Sequence, residues 1–232
     1  MNHNPKEKST LKNKGTMVTL VGIAIMTVMI VTKLILPGSL FSGYALIVGI
    51  ASFFIVEALE KTPDDESGLR FRTFPNDLKK PQVLLWVLLP VVLTIAVLIC
   101  GKLFFEDFYR QYIEHVIGRT SLEMDLGNFL TWGLTSVITV LGEEIAFRGF
   151  LFGKGSKILP TTVCLIGSAT LFALAHIATG SQAIVFYDLF GVFYDAVFYA
   201  LAFLRSGNCL VSYVPHCLNN FLGLLLVKVL FK

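Results

Sequence analysis

An all-α fold, a polytopic transmembrane helical bundle, is predicted by three observations. The 232-residue chain is 55% hydrophobic and 15% charged, against about 25% charged in ordinary soluble domains. Its mean hydropathy is +0.73, and the apolar residues gather into about seven stretches of membrane-spanning length. Three of these stretches carry groups that a bilayer segment normally lacks: Glu143, Glu144 and Arg148; His176; His216 and Asn220. A charged group at the bilayer centre costs roughly 2.5–3.5 kcal/mol on insertion scales. Such residues therefore point to a polar intramembrane cavity with a chemical role.

The spans fall near 15–36, 39–59, 82–101, 128–152, 159–178, 183–204 and 209–230. Lys6, Lys8, Lys12 and Lys14 precede the first, as in a secretory signal, but the apolar run is too long and lacks a small-x-small cleavage site. It is read as a retained anchor behind a cytoplasmic tail, 1–14. Residues 15–127 supply the N-terminal spans and loops, 128–230 the chemical core, and the whole is one structural domain.

Orientation follows from the basic residues. With the N-terminus inside, the inner segments hold the four tail lysines, then Lys61, Arg70, Arg72, Lys79 and Lys80, then Lys154, Lys157 and Arg205. The outer segments hold Lys102, Arg110 and Arg119, with Lys228 and Lys232 at the tail. This bias predicts a multi-pass plasma-membrane protein with the N-terminus cytoplasmic and the C-terminus outside. Lys33, near the outer end of the first span, is expected to snorkel to the interface.

The net charge of +3 is spread over these loops, so topology accounts for it and no nucleic-acid partner is implied. Cys100, Cys164, Cys209 and Cys217 lie in or at the ends of spans without paired spacing, and read as reduced, buried thiols. Residues 60–81, with both signs of charge and turn residues, read as a cytoplasmic loop. Over 104–118, Phe105, Tyr109, Tyr112 and Val116 recur at helical spacing opposite Glu106, Arg110 and Glu114. That pattern fits either an amphipathic interfacial helix or an extension of the third span.

The fourth span ends in LGEEIAFRGFLFG. Glu144 and Arg148 are four apart with the acid N-terminal, the favourable order for an ion pair. Glu143 lies about 100° around an α-helix from Glu144 and is available as a general base, its carboxylate made more basic by an apolar setting. The alternative is one structural ion cluster. The fifth span carries Phe172 and His176; the seventh carries PHCLNN, where His216 and Asn220 share a face and can donate to an oxyanion. Pro215 has no N–H and is expected to loosen the helix around Val211 beside His216, with an ordinary kink as the alternative. Asp188 and Asp195, seven apart in the sixth span, share a face and have no assigned role.

The order EExxxR, FxxxH, HxxxN over about residues 128–228 resembles the CAAX protease and bacteriocin-processing family. These membrane endopeptidases, also called the Abi family, include the CAAX prenyl endopeptidase of eukaryotes. The resemblance implies a glutamate-dependent intramembrane protease. Glu143, assisted by His176, would activate water; His216 and Asn220 would form the oxyanion site; Glu144 and Arg148 would support the first motif. It further implies a membrane-associated peptide or protein substrate, lipidated or a peptide leader. At about 1.5 Å per residue all four candidate catalytic residues fall inside the hydrocarbon slab, with a depth mismatch of about 8 Å between Glu143 and His176.

No cofactor is expected from this reading. A zinc site built from the two histidines and a glutamate is the nearest rival, although HExxH is missing. Other readings are a non-catalytic bacteriocin-immunity or scaffold membrane protein and an ion- or proton-coupled transporter. Against the transporter, no inverted repeat or matching pair of interrupted spans is visible.

Overall fold

The computed structural model describes residues 5–36, 39–119 and 129–230. It is 85% helical, and the described residues contain no strand. In chain order the helices are α1 (Pro5–Ile35), α2 (Phe41–Glu60), the short α3 (Phe74–Leu78), α4 (Pro81–Phe104), α5 (Glu106–Arg119) and α6 (Phe129–Glu143). A π-helix (Glu144–Lys154) and a 3-10 turn (Gly155–Lys157) follow, then α7 (Thr161–Ala175), α8 (Gln182–Ser206) and α9 (Cys209–Leu230).

Each apolar stretch seen in the sequence is helical. Four helices are long and apolar enough to cross a membrane among the described residues: Thr10–Ile35, Phe41–Glu60, Pro81–Phe104 and Gln182–Ser206. The 15-residue α7 falls short of that length. Large apolar side chains such as Val28, Ile47, Leu85, Val92, Ile138, Val163, Phe186 and Phe190 point outward from six helices. An outer surface of this kind suits lipid rather than water. The chain is a helical membrane protein.

Two features depart from the reading of the sequence. The fourth span is not one α-helix but changes to π geometry between Glu143 and Glu144. In addition, α9 runs helically through Pro215, so the irregular backbone expected beside His216 lies across from it, in the π-helix. Of the stretch read as 104–118, Phe104 ends α4 and the rest forms the separate amphipathic α5, because the chain breaks at Phe105 (φ −142°, ψ 51°). Tyr109 and Ile113 are buried and Arg110 is exposed.

The π-helix forms the centre of the bundle. Residues 144–152 are all buried; Ile145, Ala146, Phe147, Phe150 and Leu151 pack in one apolar cluster with Met26 and Ile30 of α1, Phe53 and Val56 of α2, Phe172 of α7 and Ala196 of α8, and Phe152 packs in a second with Ala200, Phe203 and Cys209. Small residues let the backbones approach. A Cβ on Gly22 would lie 2.6 Å from Phe150 Cζ, one on Gly49 2.7 Å from Ala146 Cβ, and one on Gly149 3.0 Å from Cys209 Sγ. Within lipid, where apolar burial gives little net drive, close packing of this kind is what associates helices. At the end of the π-helix the buried Lys154 ammonium pairs with Glu57 and Glu60 of α2.

The polar contacts sort into two ends. At one, residues 61–80 dock on the α8–α9 turn. Gly207 closes α8 in the left-handed region (φ 68°), a conformation that glycine adopts without penalty. The Asn208 side chain then caps α9, accepting from Leu210 N at 3.1 Å, and also accepts from Arg70 N at 3.2 Å. Arg70 donates to the Ser206 carbonyl at 2.6 Å. Asp77 receives Lys80 at 2.8 Å, Thr73 at 2.8 Å and Asn208 at 3.2 Å. Burial raises the Asp77 pKa, but these bonds and the Arg70 charge outweigh it and lower it to about 2. At the opposite end Lys33 donates to the Ala175 carbonyl at 2.6 Å, tying α1 to the end of α7 rather than only snorkelling.

Candidate active site

Glu143 and Glu144 straddle the α-to-π junction. A π turn closes i→i+5 and advances less per residue than an α turn, so Glu144 and Arg148 stay on nearly the same face and the ion pair expected from their spacing forms, at 3.1 Å. Both are fully desolvated, at 0% and 1% exposure. Buried charges require this degree of pairing. The Arg148 guanidinium also lies 4.3 Å from the Phe172 ring centroid and 5.3 Å from that of Tyr199, within cation–π range.

His216 of α9 reaches into the same cluster. Its Nδ1 is 2.8 Å from Glu144 Oε1, and because a carboxylate paired with arginine accepts only, Nδ1 carries the proton and donates. Its Nε2 is 3.5 Å from Glu143 Oε2. Glu144 Oε1 thereby meets two nitrogens, the His216 donor and the ion-paired Arg148 guanidinium, whereas the Glu143 side chain retains 17% exposure and is the more accessible carboxylate. An ion cluster forms on Glu144, Arg148 and His216, with Glu143 at its edge.

The other two candidates are placed less directly. His176 caps the end of α7, where its Nδ1–H donates to the Phe172 carbonyl at 2.7 Å. The Phe172 ring contacts both histidines, with its centroid 4.5 Å from His176 and 5.6 Å from His216. The geometry thus sets His216 against Glu143, and His176 against the Phe172 ring. Sequence motifs report spacing along one helix and say nothing of distances between helices. Asn220 donates to Ser136 Oγ at 3.5 Å. Ser136 precedes Glu143 by seven residues on α6, so the His216/Asn220 face of α9 runs antiparallel along the Glu143 face of α6.

Asp188 and Asp195 have separate partners. Asp188 lies 3.5 Å from His115 Nε2 on α5, and Asp195 Oδ1 is 3.5 Å from Thr94 Oγ1 on α4. His115 carries no motif spacing and was not legible as a partner; its Nδ1–H donates to the Thr179 carbonyl at 3.0 Å. The four cysteines are unpaired, as their spacing implied, but only Cys164 and Cys209 are buried; Cys217 is half-buried, and Cys100, on α4, is exposed. Among the described residues no group of three His, Cys, Asp or Glu side chains is arranged to hold a metal ion.

Cavities lie elsewhere. One of about 950 Å³ opens between the end of α2 and residues 61–73. A second, about 470 Å³, is walled by Val97, Cys100, Gly101, Phe105, Phe108, Tyr109, Tyr112 and Tyr187. Neither is lined by Glu143 or His216, so the polar cavity expected around the cluster is neither of these two.

Fold and site together define a helical membrane protein with a buried, charge-compensated Glu–His–Arg centre. Residues 125–222, which carry all three motifs, match the family described as type II CAAX prenyl endopeptidase, Rce1-like. This agrees with the resemblance read from the motifs, and it supports a CAAX-type intramembrane endopeptidase in general. No curated protein and no solved structure matches the chain.

Proposed function

We propose that the protein is an intramembrane endopeptidase that cleaves membrane-associated peptides by glutamate-activated attack of water. The observation that carries this reading is the convergence of Glu143, Glu144, Arg148 and His216 from two helices. Glu144 is held by Arg148 and His216, and its neighbour Glu143 is the accessible carboxylate. Glu143 takes a proton from water and the resulting hydroxide attacks the scissile carbonyl. His216, its ring fixed through Nδ1, presents Nε2 toward the reacting atoms; as an imidazolium that nitrogen donates to the developing oxyanion, and the Asn220 amide one turn away adds a second donor. His176, whose Nδ1–H donates to the Phe172 carbonyl, assists Glu143, and the proton taken from water passes to the leaving amine as the C–N bond breaks.

Substrates are lipidated proteins or peptide leaders presented by the membrane, and the whole chain acts as one domain in the plasma membrane with its N-terminus cytoplasmic. The family match supports the protease class, and the basic inner loops support the orientation. The test is cleavage of membrane-associated peptides, lipidated and unlipidated, by detergent-purified protein with and without a zinc chelator. Glu143→Ala is expected to lower kcat at least ~100-fold, the scale of a lost general base, with unchanged folding, and the chelator to have no effect. Cleavage surviving in the variant removes Glu143 from the mechanism, and loss on chelation moves the chemistry to a metal.

A further inference from the structure

His216 needs two constraints to hold its imidazole: one within the ring plane and one on the plane itself. The Nδ1–H bond to Glu144 supplies the first. The second comes from Tyr199 of α8, whose ring stacks on the imidazole with centroids 4.7 Å apart and planes 19° from parallel. Phe172 closes another side edge-on, at 78°. Tyr199 is itself 1% exposed, and its hydroxyl accepts from Asn219 Nδ2 at 2.8 Å. Asn219 is buried and lies three residues after His216 on the same helix. Tyr199 therefore meets α9 twice, with its ring on His216 and its hydroxyl on Asn219.

Resting on the protease reading, we propose that Tyr199 and Asn219 are a positioning pair that sets the plane of the His216 imidazole, and so the direction in which Nε2 faces Glu143 and the substrate. Neither residue belongs to the three motifs. Tyr199 supplies a flat surface and Asn219 stops that surface from rotating. Arg148 lies over the same ring, so Tyr199 also couples the orientation of His216 to the ion pair that holds Glu144. Small errors in the direction of a reacting group are costly. The pair acts on kcat and leaves substrate affinity alone.

The experiment compares wild type, Tyr199→Leu, Tyr199→Phe, Asn219→Ala and the Tyr199→Phe/Asn219→Ala double variant, by peptide cleavage and by ¹⁵N NMR of the labelled histidine rings. Tyr199→Leu is expected to lower kcat roughly tenfold or more with KM within about twofold, and to move the His216 ring resonances while leaving those of His115 in place. Tyr199→Phe should give a smaller loss, and adding it to Asn219→Ala should cost nothing beyond Asn219→Ala alone, because that variant already lacks the shared bond. Additive losses, or His216 resonances unmoved in Tyr199→Leu, would overturn the proposal and leave a simple α8–α9 packing bond. Tyr199→Phe is close to isosteric and keeps the comparison decisive if Tyr199→Leu does not fold. Should Glu143→Ala cleave as well as wild type, the protease reading fails, while the NMR resonances still decide whether Tyr199 and Asn219 orient His216.

Discussion

Glu144 shows how far a motif can be read and where it stops. Its spacing from Arg148 announces an ion pair, and the pair is there. Its second partner, His216, comes from 72 residues away, and no one-dimensional pattern encodes that distance. For the same reason the motifs alone did not show that His216 stands beside Glu143. Glu144→Gln removes the charge that compensates Arg148 and leaves a cation without its partner in a desolvated site. The expected loss is about 3–5 kcal/mol, the scale for breaking a buried pair, read as a drop in the unfolding midpoint of the detergent-solubilised protein. A loss below about 1 kcal/mol, the scale of an exposed pair, would show that the pair is solvated.

At the scale of elements, the apolar stretches located the helices because length and hydropathy are properties of composition. The π-helix was hidden, since nothing in an apolar run marks i→i+5 closure, and residues 128–152 read as a single α-helical span. Helix contacts were also hidden, because a glycine at an interface and a glycine facing lipid look alike in sequence. Gly49 and Gly167 separate these cases. A Cβ on Gly49 meets Ala146, whereas one on Gly167 meets nothing within 4 Å. Gly49→Ala must push α2 off the π-helix and should cost about 1–3 kcal/mol, while Gly167→Ala should be neutral or slightly stabilising through helix propensity. Equal midpoints for the two variants would contradict the close approach of α2 to the π-helix.

At the scale of the whole molecule, contacts between distant loops divide into two groups. Arg70 with Ser206 and Lys157 with Glu60 mark one end; Lys33 with Ala175 and His115 with Thr179 mark the other. This is the separation expected of a chain that crosses back and forth, and in the proposed orientation the first end faces the cytoplasm. Cysteine labelling checks it: Asp65→Cys should react only from the cytoplasmic side and Thr179→Cys only from outside, and the reverse pattern inverts the topology. The end that bears Asp77 also carries a pH dependence. With a folded pKa of about 2 against an ordinary 3.8, Asp77 stabilises the docked loop fully above about pH 4, and that contribution is lost as pH falls toward 2. The shift corresponds to on the order of 2 kcal/mol. Hydrogen exchange in residues 61–80 should accelerate over that interval in wild type but not in Asp77→Asn.

An amphipathic α-helix presents a rhythm of constrained and free positions, one side for the protein and one for its surroundings. The π-helix has no free side: nine consecutive residues, 144 to 152, are enclosed by neighbouring helices. Its tolerance of variation is therefore a flat floor rather than a wave. The stretch EIAFRGFLF behaves as a single uninterrupted word, in which a change at any letter is felt by the carboxylates at its start.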